Sequence, residues 1–343
     1  MMKTLLITVL ISLCLSCLVA QEVRPIRDSI GYCWNAEQMK RLITYLETEE
    51  KGSVPQQSFI AGISPHDDFL YAARVYYPLF RSIRPKEVVI FGVTHATVRK
   101  EIGDPQNILL LDEYKTWTGC GHNIAISPLR DLIRSALDTQ YYRVNNQAHG
   151  LEHSIEAMIP WLQYYNQDVE ITPIMVTSMS FERMDELAEK LSVIISEYIK
   201  KNQLVPGRDL FFLCSSDANH YGRDFNNINW GEDTIAHIKG TAKDQQIANR
   251  DLSGRIDTIK IRDFTEEMKN KVWCGKFSIP LGLLTVQKTM VKAYGKGLCG
   301  TILRYSDSYT EGVLPLKQTG MGITAPFSLK HWVGHLSAGF YLE

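Results

Sequence analysis

Past its first 20 residues the sequence has no Cys-x-x-Cys pair, and its five remaining cysteines, Cys33, Cys120, Cys214, Cys274 and Cys299, are irregularly spaced. An odd, unpatterned set is not a disulfide framework. In an oxidising compartment one pair is compatible with it, and at least one thiol is then left over. No dinucleotide-type glycine fingerprint, P-loop or Gly-x-Ser-x-Gly elbow occurs, which removes the usual nucleotide-binding and serine-hydrolase readings. Charge of one sign is missing too: 37 Lys and Arg face 38 Asp and Glu, for a net charge of −1. Binding to phosphate backbones needs a concentrated basic face, so nucleic acid is not an expected partner. Residues 22–343 hold no low-complexity tract or Pro/Ser-rich linker. With 45% hydrophobic and 22% charged residues, close to globular averages, one domain over 21–343 is expected.

Long apolar runs are confined to the amino terminus. Lys3 precedes the apolar residues 5–13, followed by Cys14-Leu-Ser-Cys17-Leu-Val-Ala20-Gln21. A positive start, a short apolar core and small residues near a cut make residues 1–20 a signal peptide. A membrane span needs about 20 apolar residues, so no transmembrane segment is expected. Cleavage after Ala20 leaves Gln21 first. A cut before Cys17 would give a lipoprotein, but Cys14 stands where such a box usually has leucine. Either cut predicts an exported protein, periplasmic or otherwise extracytoplasmic.

What is present is a rhythm of strands and helices. Asn35-Ala-Glu-Gln38 reads as a capping box opening a helix that carries Met39, Leu42, Ile43 and Leu46 at helical spacing. Strands are expected at 58–63, 87–93, 107–111, 169–176, 209–214, 301–305 and 336–342, and helices at 70–83, 128–137, 153–165, 181–201 and 279–293. Glu87–Val93 is nearly continuous in apolar residues, as in a strand buried on both faces. The alternation implies an α/β, three-layer domain with a mostly parallel central sheet covered by helices.

Three of these strands run into polar, ligand-capable residues: Ser64-Pro-His66-Asp67-Asp68, Thr94-His95, and Ser215-Ser-Asp217-Ala-Asn-His220. Ligands of open α/β sheets bind beyond the carboxyl ends of the strands. The pattern therefore sets His66, His95, Asp217 and His220 on one rim. Each residue also has an ordinary structural explanation. Asp217 can cap a following helix, and Asp67 and Asp68 suit a turn. In His149-Gly-Leu-Glu152-His153-Ser-Ile-Glu156 the histidines are four apart, as are the glutamates, so each pair would share a face if helical. Gly150 replaces the acid a zincin requires after its first histidine. The glutamates fit a helix amino terminus and a supporting role in the site equally well. Cys274 precedes Gly275, which lets backbone come close to a bound group, although a buried structural cysteine is the usual case.

These segments resemble the Memo family, including AmmeMemoRadiSam system protein B of prokaryotes. The resemblance runs in order through Gly31-Tyr-Cys-Trp34, Ile63-Ser-Pro-His66, Gly92-Val-Thr-His95, Glu152-His-Ser-Ile-Glu156, Ser215-Ser-Asp217-Ala-Asn-His220-Tyr, Cys274-Gly275 and Ser337-Ala-Gly339. It implies a fold shared with class III extradiol dioxygenases of the LigB type. It also implies one metal ion, iron or copper with zinc as alternative, held by His66, His95 and Cys274. Asp217 and His220 would be the catalytic pair, with His153, Glu156 and Asp67 supporting. The sequence departs from the family where Asp67-Asp68-Phe69 replaces Ala-Gly-Tyr, at Ala96, and at Phe277-Ser-Ile-Pro280. A thiolate in place of the dioxygenase carboxylate moves expectation from ring cleavage toward metal-dependent redox chemistry on a small ligand. The competing expectation is a non-catalytic metal-handling or peptide-binding protein that uses the same cleft.

Overall fold

Four short strands buried at nearly every position form the centre: Ala61–Ser64 (β1), Glu87–Val93 (β2), Glu170–Val176 (β3) and Leu210–Ser215 (β4). They pair in parallel in the order β3–β2–β4–β1. Successive side chains of a strand point to opposite faces. Val89, Phe91, Phe212 and Cys214 enter one apolar core, and Val88, Ile90, Phe211 and Leu213 enter the other. The first core is closed by helices Phe181–Asn202 and Ser278–Tyr294, through residues such as Leu187, Leu191, Leu281 and Leu284. The second is closed by Ala36–Glu49 and Phe69–Arg81, through Met39, Leu42, Tyr76 and Leu79. The result is the expected helix–sheet–helix layering. This computed structural model describes residues 22–50, 55 and 57–343; residues 1–20, read above as a signal peptide, lie outside the described residues.

Beyond β1 the pairing turns antiparallel. His220–Gly222 (β5), Leu298–Asp307 (β6) and His331–Leu342 (β7) pair antiparallel, β7 lying between β1 and β6 and also receiving β5 through His220 and Val333. Because β5 follows β4 after only a short loop, no helix follows Asp217, and the helix-cap explanation of that residue is ruled out.

The expected helix over 153–165 is broken. A helix over Asn146–Leu151 ends before Glu152, whose φ of −91° and ψ of 140° are extended. Glu156–Met158 is a 3₁₀ turn, and the α-helix starts only at Ile159–Tyr165, with Pro160 in its first turn. The cause is local. Ser154 Oγ accepts from Val93 N and donates to Val93 O, both at 3.0 Å, and a side chain bonded to backbone in this way competes with helix. Gly92 makes room for the crossing: a Cβ there would lie 2.3 Å from Ile155 Cγ1. His149 and His153 therefore share no helical face, and His149 instead reaches Leu110 O through Nε2.

Candidate metal centre

Since β1, β2 and β4 are parallel, their carboxyl ends open on one edge, into a cleft of about 680 Å³. His66 and Asp67 enter it after β1, His95 after β2, and Asp217 and His220 after β4, while His153 and Cys274 arrive from neighbouring loops.

The imidazoles are held in one tautomer. His66 is buried, and its Nδ1 lies 2.7 Å from Ser215 Oγ. The Ser215 hydroxyl donates its only proton to Ser154 O at 2.7 Å, so it accepts from His66 Nδ1–H. That leaves Nε2 with a lone pair. This atom is buried and without a hydrogen-bond partner; Asp217 Oδ2 is 3.3 Å away but outside hydrogen-bond alignment. His95 is tied through its Nδ1 in the same way. Its Nδ1 donates to Glu152 Oε1 at 2.9 Å, and its Nε2 faces Cys274 Sγ at 3.4 Å. The His153 ring stacks on that of His95, with centroids 4.7 Å apart, and His66 meets both edge-on.

Cys274 Sγ also lies 3.6 Å from His220 Nε2. Burial opposes ionisation of this thiol, but His220 and His95 beside it bring its pKa well below the ordinary value. The effect is mutual. Burial disfavours charge on His220, yet the Cys274 thiolate, with Asp217 and Asp67, pushes it up to about 9. His95 is likewise raised, against burial, by Glu152 and Cys274. Burial and the neighbouring His95 charge lower His153 to about 4. The Cys274 thiol is thus biased toward its thiolate by the two imidazoles beside it.

Two sets of ligand atoms each converge within 4.8 Å: His66, His95 and His153, and His66, Asp217 and Cys274. They share His66 and are linked by the Cys274–His95 approach. The expected His66, His95 and Cys274 set takes two members from the first and two from the second. Imidazoles protonated on their outer nitrogen, a thiolate and an orphaned Nε2 are what a borderline-soft metal requires. The residues present fit a metal ion.

The supporting residues are only partly those expected. Asp217 Oδ1 accepts from His66 N at 3.0 Å, so it touches a cleft histidine through that residue's backbone. Asp67 pairs with His335 Nε2 at 2.8 Å, a buried partner on β7 that the sequence reading missed. Glu156 turns away: it is buried against the Arg24 guanidinium and accepts from the backbone N of Arg27 and Asp28. The carboxylate beneath the site is Glu152. Besides the His95 ring it accepts from the backbone N of His95, His153 and Ser154. Gly275 gives close approach to Ser216, whose Oγ accepts its N–H at 2.9 Å, and not to a bound group; a Cβ there would lie 2.3 Å from that oxygen.

Four hydrogen-bond donors face Glu152, which makes its amide a specific probe. Glu152→Gln must turn an NH₂ toward one or more of those donors and releases the His95 tautomer. Metal affinity should fall about 10-fold, at the low end for partners of metal-bound histidines. Equilibrium dialysis against Co(II) checks this, and an unchanged affinity would contradict the role given to Glu152.

Comparison with known proteins gives the family. Residues 30–313 match the family described as Memo-like protein. A MEMO1 family protein of Saccharolobus islandicus is 29% identical over 237 residues, covering 68% of this chain and 72% of that protein. Another from Saccharolobus solfataricus is 26% identical over 253 residues, covering 70% and 78%. A crystal structure of an uncharacterized Escherichia coli K12 protein superposes with a TM-score of 0.44 at 13% identity, covering 81% of this chain and 98% of that one. The family match takes in the cleft residues from His66 to Cys274, and the chain belongs to the Memo family.

Proposed function

We propose that this chain holds one metal ion, iron or copper in preference to zinc, through His66 Nε2, His95 Nε2 and Cys274 Sγ, and that the site performs redox chemistry on a small ligand. The observation that carries the reading is the buried, partnerless His66 Nε2 aimed into a cleft that also holds a thiolate. The metal, when bound, supplies Lewis acidity and an electron donor to a ligand in the open part of the cleft. The chain's own groups do the rest. Ser215 and Glu152 hold the His66 and His95 tautomers, and Asp217 holds the His66 backbone. His220 keeps a proton at Nε2 beside the thiolate. Phe225, Phe277 and Phe327 line the cleft and suit a flat apolar ligand. Metal analysis of protein purified without chelators, followed by oxygen uptake with a catechol panel after anaerobic Fe(II) loading, tests the proposal. Absence of stoichiometric metal would overturn it.

One observation favours a second reading. Cys274 is only half-buried, and a thiolate open to oxygen is prone to oxidation. That suits a protein that carries metal, or binds a peptide in the same cleft, without turnover. Bound metal with no uptake on any catechol would select it.

We also place the chain outside the cytoplasm, from the sequence of residues 1–20 alone. The mature chain is expected to begin at Gln21, and intact mass from the native host checks this; retention of Met1 would refute export. Among the described residues no helix is long and apolar enough to cross a membrane.

A further inference from the structure

Asp244, on the helix Thr234–Asp251, is 3% exposed and lies outside the ligand set. Three donors face its carboxylate. Oδ1 accepts from Trp273 Nε1 at 2.9 Å, while Oδ2 accepts from the Tyr305 hydroxyl at 2.9 Å and from Asn219 N at 3.2 Å. Trp273 immediately precedes Cys274, and Asn219 immediately precedes His220. Their two loops also touch directly, through a β-bridge between Asn219 and Trp273 and a bond from His220 N to Val272 O at 3.1 Å. The carboxylate has little room to move: a Cβ on Gly334 would sit 2.8 Å from Oδ2.

We propose that Asp244 is a positioning residue that sets the spacing between the Cys274 thiolate and His220 by gripping the residue before each. Cys274 lies in a turn between helices, whereas His220 opens β5 and is paired with Val333, so the spacing between the two depends on how the Cys274 turn is held against the start of β5. A carboxylate suits the task because it accepts from several donors at once and offers none. Tyr305 binds the same carboxylate but leads to neither site residue, which separates positioning from general stability. The proposal rests on Cys274 and His220 being members of the functional site.

The test uses the full mature chain in two measurements: hydrogen exchange by mass spectrometry without metal, and the sulfur-to-Co(II) charge-transfer band. Asp244→Ala should speed exchange in segments 216–221 and 271–276 together, by about 10-fold or more, and should shift or weaken the band. Trp273→Phe should loosen 271–276 and alter the band. Tyr305→Phe should leave both segments and the band as in the parent, even if it lowers the melting temperature. Unchanged exchange in Asp244→Ala, or equal effects of Tyr305→Phe and Trp273→Phe, would overturn the proposal. If Asp244→Ala does not fold, the comparison of Trp273→Phe with Tyr305→Phe decides alone. If the parent chain fails to bind Co(II), the metal reading falls while the exchange measurements still decide the role of Asp244.

Discussion

His220→Ala should keep its metal content within about twofold of the parent while ligand-dependent oxygen uptake falls by about 100- to 10,000-fold, the range expected for losing a general acid or base. His220 belongs to neither converging ligand set. Its Nδ1 lies 3.2 Å from the carbonyl of Ala218, which only accepts, so that nitrogen carries a proton. Its Nε2 faces Cys274 and the cleft. With a pKa pushed up to about 9, the ring is protonated near neutral pH and can give a proton to a ligand oxygen. Truncation to Ala leaves the backbone bonds of the Asn219 and Asp244 network in place, so the melting temperature should change little. Loss of metal in parallel with activity would show instead that His220 is itself a ligand.

Cys274→Ser should bind Co(II) more than about 100-fold more weakly than the parent and lose the charge-transfer band. Groups one step removed from a metal already cost about 10- to 100-fold when lost, and here the lost group is the anionic ligand. Serine does not ionise near neutral pH, whereas Cys274 is held as a thiolate by His220 and His95. The nearest substitute anion, Asp217, is engaged with the His66 backbone N–H. A second consequence concerns protons. Since a bound metal requires Cys274 as thiolate and His95 neutral at Nε2, metal binding to the parent should release about one proton from the Cys274–imidazole cluster; a pH-indicator titration in weak buffer counts it. Affinity of Cys274→Ser within threefold of the parent would remove the thiolate from the ligand set and leave the three imidazoles to hold the ion.

The residues that were legible early are those that strands deliver. His66, His95, Asp217 and His220 each follow a run of buried apolar residues, and parallel pairing sends every such run to the same edge. Glu152 was visible only as one of two glutamates in a segment that looked helical. Its neighbour Glu156 received the supporting role because nothing local reveals that Arg24, 132 positions away, holds it. His335 and Asp244 left no mark. His335 is one polar residue in a strand otherwise read by its apolar alternation. Asp244 sits on a helix whose buried face is Ala236, Gly240, Asp244, Ile247, Ala248 and Asp251, too small and polar to show an apolar period.

Sequence alone determined the layered α/β architecture, the rim that carries the candidate site and the resemblance to the family, because buried strands and helices announce themselves through local hydrophobic period. Tertiary structure decided which side chains serve the site. The broken helix at Glu152, the turn of Glu156 toward Arg24, the tautomers of His66 and His95, and the grip of Asp244 on two loops all depend on bonds between residues far apart in the chain. Hydrogen bonds of that kind are set by where backbones cross, and periodicity carries no information about such crossings.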